Sequence, residues 1–126
     1  MSNKKLESLA TEFVQAYNDK DFDHLRGLLS STFYFQHHNR NFEFKDPDEF
    51  IAMLKQFASE LMPNRAFGKP NRVICNGNTV VIEQPWSGTP SVDIPGMGNA
   101  GELLSLDLCS VLIFDGELVT QYHDYG

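Results

Sequence analysis

Near the C-terminal end of the sequence stands Tyr122-His123-Asp124-Tyr125, a carboxylate among groups that can pass or polarise a proton. A carboxyl group does general acid or base work when an apolar wall destabilises its charged form and lifts its pKa toward the working pH. Tyr122 stands two residues before Asp124, so on a strand the two side chains share a face. The other reading of Asp124 is a solvated group at a frayed end. A second polar cluster, His37-His38-Asn39-Arg40, offers an imidazole able to share a proton near pH 7. Adjacent residues on a strand point to opposite faces, so at most one of His37 and His38 can join Asp124. The alternative is a surface turn with both rings in water. Asp124, His37, His38 and Tyr122 are the candidate catalytic groups.

Other chemistries have little to stand on. A metal site needs three or four converging ligands, and His24 and His123 are not spaced to complete one with the paired histidines, so no metal is expected. The sequence holds no GxSxG elbow, GxGxxG or P-loop, and no CxxC pair. Asp107 sits among Leu104, Leu106 and Leu108, where a charge is costly unless paired. The favoured placement faces water or a dimer partner, with a place inside a pocket as the alternative.

The elements that must position these groups follow from spacing. Leu6, Leu9, Ala10, Phe13, Val14 and Tyr17 form one apolar stripe on a first helix. Asp21 caps a short second helix carrying Phe22, Leu25, Leu28 and Leu29. Thr32 to His37 reads as a strand, Asn39-Arg40-Asn41 as a turn, and Phe42 to Lys45 as a segment pairing back across it. Asp46, Pro47 and Glu49 mark the start of a third helix, with Phe50, Met53, Leu54, Phe57, Ala58 and Leu61 on one face and Pro63 as its stop. Strands are then predicted over Phe67 to Cys75 and Thr79 to Trp86, around a turn at Asn76-Gly77-Asn78. Gly88 to Gly101 is a loop, able to close over a ligand or to serve as plain surface. The last two strands are joined at Asp115-Gly116, a strong hairpin signal.

Helices early and strands late make an α+β layer architecture. A curved, mostly antiparallel sheet wrapped around three N-terminal helices is a cone-shaped domain, and the space inside becomes a ligand pocket when its walls are apolar with a few polar groups. The whole chain, 1–126, fits one such domain. Hydrophobic residues make up 41% and charged residues 21%, the profile of a soluble globular protein, and ten phenylalanines suggest a core or cavity lined with rings. A net charge of −7 argues against nucleic acid and acidic membrane surfaces, which need a basic footprint. Met1 to Ala10 shows no secretory signal, and no run approaches the roughly 18 apolar residues of a membrane span. Cys75 and Cys109 read as buried free thiols, with a disulfide between adjacent strands as the alternative. A cytoplasmic location is expected.

The element order, with Tyr17-Asn18-Asp19-Lys20-Asp21-Phe22, Glu83-Gln84-Pro85-Trp86-Ser87-Gly88, Phe114-Asp115-Gly116 and Tyr122-His123-Asp124-Tyr125, resembles the nuclear transport factor 2-like superfamily and within it the SnoaL-like group. That superfamily includes polyketide cyclases, ketosteroid isomerase, limonene epoxide hydrolase and binding proteins without chemistry, so fold does not fix function. The resemblance implies a homodimer through the outer sheet face and a role for Asp124 as acid or base at the end of the last strand. Where the epoxide hydrolase pattern asks for an arginine and an aspartate on the middle strand, this sequence offers Gln84 and Trp86, so its relay is not reproduced. The expectation is cofactor-independent isomerase, cyclase, dehydratase or hydrolase chemistry on a small hydrophobic oxygenated molecule. Expected ligand contacts are Trp86, Gln84, Tyr17, Phe35, Phe50, Met53 and Phe57. Competing readings are a small-ligand-binding module without catalysis and a protein-interaction domain.

Overall fold

The apolar stripe of the first helix winds into α1, Asn3–Asn18, opened by the Ser2 hydroxyl accepting from the Lys5 amide. The computed structural model describes residues 2–126. Asp21 caps α2, Phe22–Gly27, and Asp46 caps α3, Pro47–Gln56, which has Pro47 in its first turn. Leu29 belongs to the first strand and not to α2, because it pairs with Val119 and starts β1, Leu29–His37. The apolar run past Gln56 continues as a π-turn, Phe57–Leu61, rather than as regular helix.

The strands build one curved sheet. β1 pairs antiparallel with β2, Phe42–Phe44, and parallel with β7, Leu118–Tyr125. β7 returns antiparallel from β6, Leu104–Asp115, through a tight turn at Gly116, whose φ of +62° suits a residue without Cβ. β6 in turn pairs along its length with β5, Thr79–Gly88. The predicted strand from Phe67 to Cys75 is broken into β3, Ala66–Phe67, and β4, Arg72–Asn76, both paired to β5. Proline 70 has no amide to give a ladder, and the chain bridges the gap with Gly68 donating to the Pro85 carbonyl and Asn71 to that of Glu83. A Cβ on Gly68 would stand 2.8 Å from the Pro85 ring, so this crossing requires glycine. Five late strands thus replace the four expected. The sheet order is β2-β1-β7-β6-β5-β3, with β4 also on β5.

Alternation assigns the faces. Val80, Ile82, Gln84 and Trp86 of β5 and Leu108, Ser110, Leu112 and Phe114 of β6 are buried toward the helices. Asp107 is exposed on the opposite face, as its favoured reading had it. Cys75 and Cys109 are free and only partly buried. Phe13, Leu25, Phe33 and Phe50 fill the space between helices and sheet. No helix among the described residues is long and apolar enough to cross a membrane.

Two side chains fasten the end of α1 to the sheet. Asn18 donates to the Phe67 carbonyl at 3.0 Å and accepts from the Phe67 amide at 2.8 Å, completing a two-bond clamp. Arg65, almost fully buried, donates to the Tyr17 carbonyl at 2.9 Å and lies 4.2 Å from the centre of the Tyr17 ring. A cation is favourable at this end of a helix, where carbonyls lack internal partners. Removing one side of the Asn18 clamp leaves Phe67 backbone groups unpaired, so Asn18→Ala should lower unfolding free energy by about 1–3 kcal/mol. Urea denaturation checks this as a lower midpoint at unchanged slope; an unmoved midpoint would show that the clamp contributes nothing.

Candidate active site

Because β7 lies between β1 and β6, Asp124 has neighbours from two other strands. It is the register partner of His37 across the parallel pair and of Ser110 across the antiparallel one. The Ser110 hydroxyl donates to Asp124 Oδ1 at 2.6 Å, and the Tyr122 hydroxyl donates to Oδ2 at 2.7 Å. Asp124 is 5% exposed, and burial pushes its pKa up to about 6 against the pull of those two donors. The Tyr122 ring is held edge-on to Phe13, at 5.1 Å between centres, and against Phe35 at 5.0 Å, which fixes the direction of its hydroxyl.

These groups open on a cavity of about 70 Å³ under the concave face of the sheet. Of the sequence-derived candidates, Asp124, His37, Tyr122, Tyr17, Phe35, Phe50, Met53, Phe57 and Trp86 all line it. Its wall also includes Phe42, Leu54, Phe67, Met97, Leu106 and Leu108, which pattern reading had treated as core, strand or loop. Met97 comes from the long loop, whose Ile94 and Gly98 close a small bridge and place the thioether at the cavity. A second depression of about 310 Å³ lies between α1 and β3–β4, but its ionisable groups, Glu7 and Lys69, are not buried.

Two candidates stand elsewhere. His38 follows the end of β1 on the other side of the sheet, exposed, 2.9 Å from His123 Nδ1 and stacked on Tyr125 at 4.2 Å. The alternation that brings His37 to the cavity carries His38 away from it. Gln84 is buried behind Ser110 and is not part of the cavity wall; its Nε2 donates to the Ser110 hydroxyl at 3.3 Å, and its Oε1 is buried without a partner. Ser110 itself escaped sequence reading, since a lone serine in an apolar strand carries no signal until its partner is known.

The remaining polar groups are poised and neutral. His37 Nδ1 is buried with no partner, and burial, with Arg40 and His38 nearby, takes its pKa down to about 4. Trp86 donates its indole N–H to the Tyr17 hydroxyl at 2.9 Å, so that oxygen is an acceptor whose own proton bonds to no described residue. Burial raises Tyr17 to about 12 despite the Arg65 cation. At pH 7 the cavity therefore holds a carboxyl group near its titration point, a neutral imidazole and a phenol with a free O–H. Such a set can take a proton at one atom and steady an oxygen at another. Among the described residues no three His, Cys, Asp or Glu side chains stand together as a metal-binding group.

Comparison with known proteins bears on the fold. The fold is shared with a candidate polyketide cyclase from Xanthomonas campestris, with a TM-score of 0.84 at 16% identity, covering 98% of this chain and 91% of that one. It is shared with an epoxide hydrolase of the limonene type from M. tuberculosis, TM-score 0.76 at 16% identity, covering 98% and 83% of the two chains. A protein of ketosteroid isomerase-like fold from Catenulispora acidiphila, crystallised with trimethylamine, superposes with TM-score 0.76 at 16% identity over 94% and 84%. No curated protein matches in sequence. The SnoaL-like domain model matches residues 10–122, and with all but its two ends so matched, this chain belongs to the SnoaL-like domain family.

Proposed function

We propose that the protein is a cofactor-independent acid/base enzyme acting on a small hydrophobic oxygenated molecule, with Asp124 as the group that takes and returns the proton. The observation that carries this reading is a carboxyl group buried in an apolar cavity and titrating near pH 6, close to where a general base is most effective. The Tyr17 hydroxyl and the neutral His37 ring are the groups that would orient or polarise the substrate oxygen, and Trp86 would pack on its carbon skeleton. Isomerisation, cyclisation, dehydration and hydrolysis share this first step. The cavity is smaller than the roughly 300–1,000 Å³ of drug-sized sites, so a larger substrate must move wall residues. Met53 and Met97, unbranched and flexible, are the side chains best able to yield.

The outer sheet face supports a second proposal, a homodimer. Ile74, Val81 and Val111 are register neighbours across β4, β5 and β6, and Ile74 is 49% exposed. Sedimentation of Val81→Lys should give monomer where the parent gives dimer; a monomeric parent would end this proposal.

Proton transfer can be tested without knowing the product. In D₂O, the protein should exchange protons next to the carbonyl of some members of a panel of small apolar ketones, enones and lactones, read by NMR. Asp124→Asn should slow that exchange by about 10²–10⁴-fold. Ligands that raise the melting temperature of parent and variant alike, with no exchange by either, would favour a binding module instead.

The two buried titrating groups should also pull stability in opposite directions. Asp124 holds its proton more tightly when folded, pKa about 6 against 3.8, so its contribution falls as pH rises from about 4 to 6. His37 holds its proton less tightly when folded, about 4 against 6.5, so its contribution rises over nearly the same window. Urea unfolding of Asp124→Asn should therefore show stability climbing with pH between 4 and 6.5. His37→Asn should show the reverse, and the parent a flatter profile than either. Two variants with the same slope would refute the assignment.

A further inference from the structure

Gln84 and Ser110 have no place in the proton transfer just described, yet both are buried and linked to its central group. The chain of contacts runs from Gln84 Nε2 to Ser110 Oγ at 3.3 Å, and from the Ser110 hydroxyl to Asp124 Oδ1 at 2.6 Å. Read in that direction every donor points toward Asp124, as an ionised carboxylate requires, and Gln84 Oε1 is left buried with nothing to accept. A buried acceptor without a donor is costly.

The same three residues have a second arrangement. When Asp124 takes up a proton on Oδ1, that oxygen becomes a donor, and the Ser110 hydroxyl must accept from it and turn its own hydrogen away. Behind Ser110, on the side away from Asp124, the Gln84 carboxamide is positioned to receive it. A half turn about the last side-chain bond of Gln84 puts Oε1 where Nε2 had been, so the oxygen gains a donor while the amide N–H groups move to the unpartnered place it left, which favours the ionised state of Asp124. Protons balance: one is added, at Asp124, and the two hydrogen bonds of the chain survive with their polarity reversed. Tyr122 continues to donate to Oδ2 throughout.

We propose that Gln84 is a positioning residue which acts on Asp124 only through Ser110, its carboxamide reversing so that the carboxyl group stays fully partnered both before and after proton uptake. This deepens the reading of Asp124 as the proton carrier and rests on it for catalytic meaning, while the coupling itself is a property of the resting protein. No other group around Asp124 competes for the role near neutral pH. Tyr17 on α1 and Tyr122 on β7 are raised by burial, Cys109 on β6 is raised, and His37 on β1 is lowered.

The test is the titration of the Asp124 side-chain carboxyl, followed by ¹³C NMR in the full-length protein without substrate. Ser110→Ala removes a direct donor to the carboxylate and should raise the midpoint by about 1 unit; Gln84→Met should raise it by less, about 0.5. In the double variant the midpoint should equal that of Ser110→Ala alone, because Gln84 has no path around Ser110. Gln84→Glu, which preserves shape but replaces the donor Nε2 with an oxygen, should raise the midpoint most, since two carboxyl groups then share one chain. An unmoved midpoint in Gln84→Met, or additive shifts in the double variant, would overturn the proposal. If the shifts appear but Asp124→Asn leaves deuterium exchange intact, the coupling stands and the enzymatic reading fails. The converse pattern condemns the coupling alone.

Discussion

Burying a carboxyl group in a cavity walled by rings is the expense around which this structure is arranged. In an apolar surrounding the ionised form loses the solvation that water supplies, and unless donors replace it the group keeps its proton. Here two hydroxyls, from Ser110 and Tyr122, offset part of that loss, and Asp124 comes to rest between the two extremes, near pH 6. A fully solvated site would make it a permanent anion, and a drier one a permanent acid. Each donor depends in turn on packing: Tyr122 on the rings of Phe13 and Phe35, and Ser110 on the long pairing of β6 with β5 and β7.

The neighbours of Asp124 matter as much for what they do not carry. His37 stands beside it on a parallel strand, yet burial and the nearby Arg40 and His38 keep that ring neutral. A protonated imidazole would pair with the carboxylate and drag its pKa down, whereas a neutral one leaves the proton affinity of Asp124 intact and still offers a polar atom to a ligand. A second cation, Arg65, lies over the Tyr17 ring, where it closes the end of α1 and bonds to a carbonyl, and it is not among the residues of the cavity wall. The positive charge thus serves the helix, and the proton chemistry is left to a single group.

Proteins that share this fold include ones named as epoxide hydrolase and as candidate polyketide cyclase. The cone provides each with a concave sheet and a floor of helices, and the reaction depends on which side chains the inward positions hold. In this chain those positions hold one carboxyl group, one neutral imidazole and two phenols among aromatic and aliphatic neighbours.

Much of this was legible in the chain itself. Periodicity marked α1 and α3, capping residues marked the starts of α2 and α3, and Asp115-Gly116 announced the last hairpin, though its turn falls one residue later, at Gly116 and Glu117. Two-residue alternation placed Tyr122 beside Asp124 and allowed only one of His37 and His38 inside. Those features depend on neighbours a few residues apart, and local spacing is what a sequence displays directly. A single strand from Phe67 to Cys75 overlooks the split of β3 from β4, which Pro70 and the polar stretch from Gly68 to Arg72 signal. Whether Asp124 was a frayed end or a buried acid could be decided only by tertiary structure, which sets β7 between β1 and β6 and closes the cavity over it. The partners Ser110 and His37 lie 14 and 87 residues away along the chain, and Gln84 reaches Asp124 only through Ser110. Burial and long-range pairing set the proton affinity of Asp124, and neither is written in the order of its immediate neighbours.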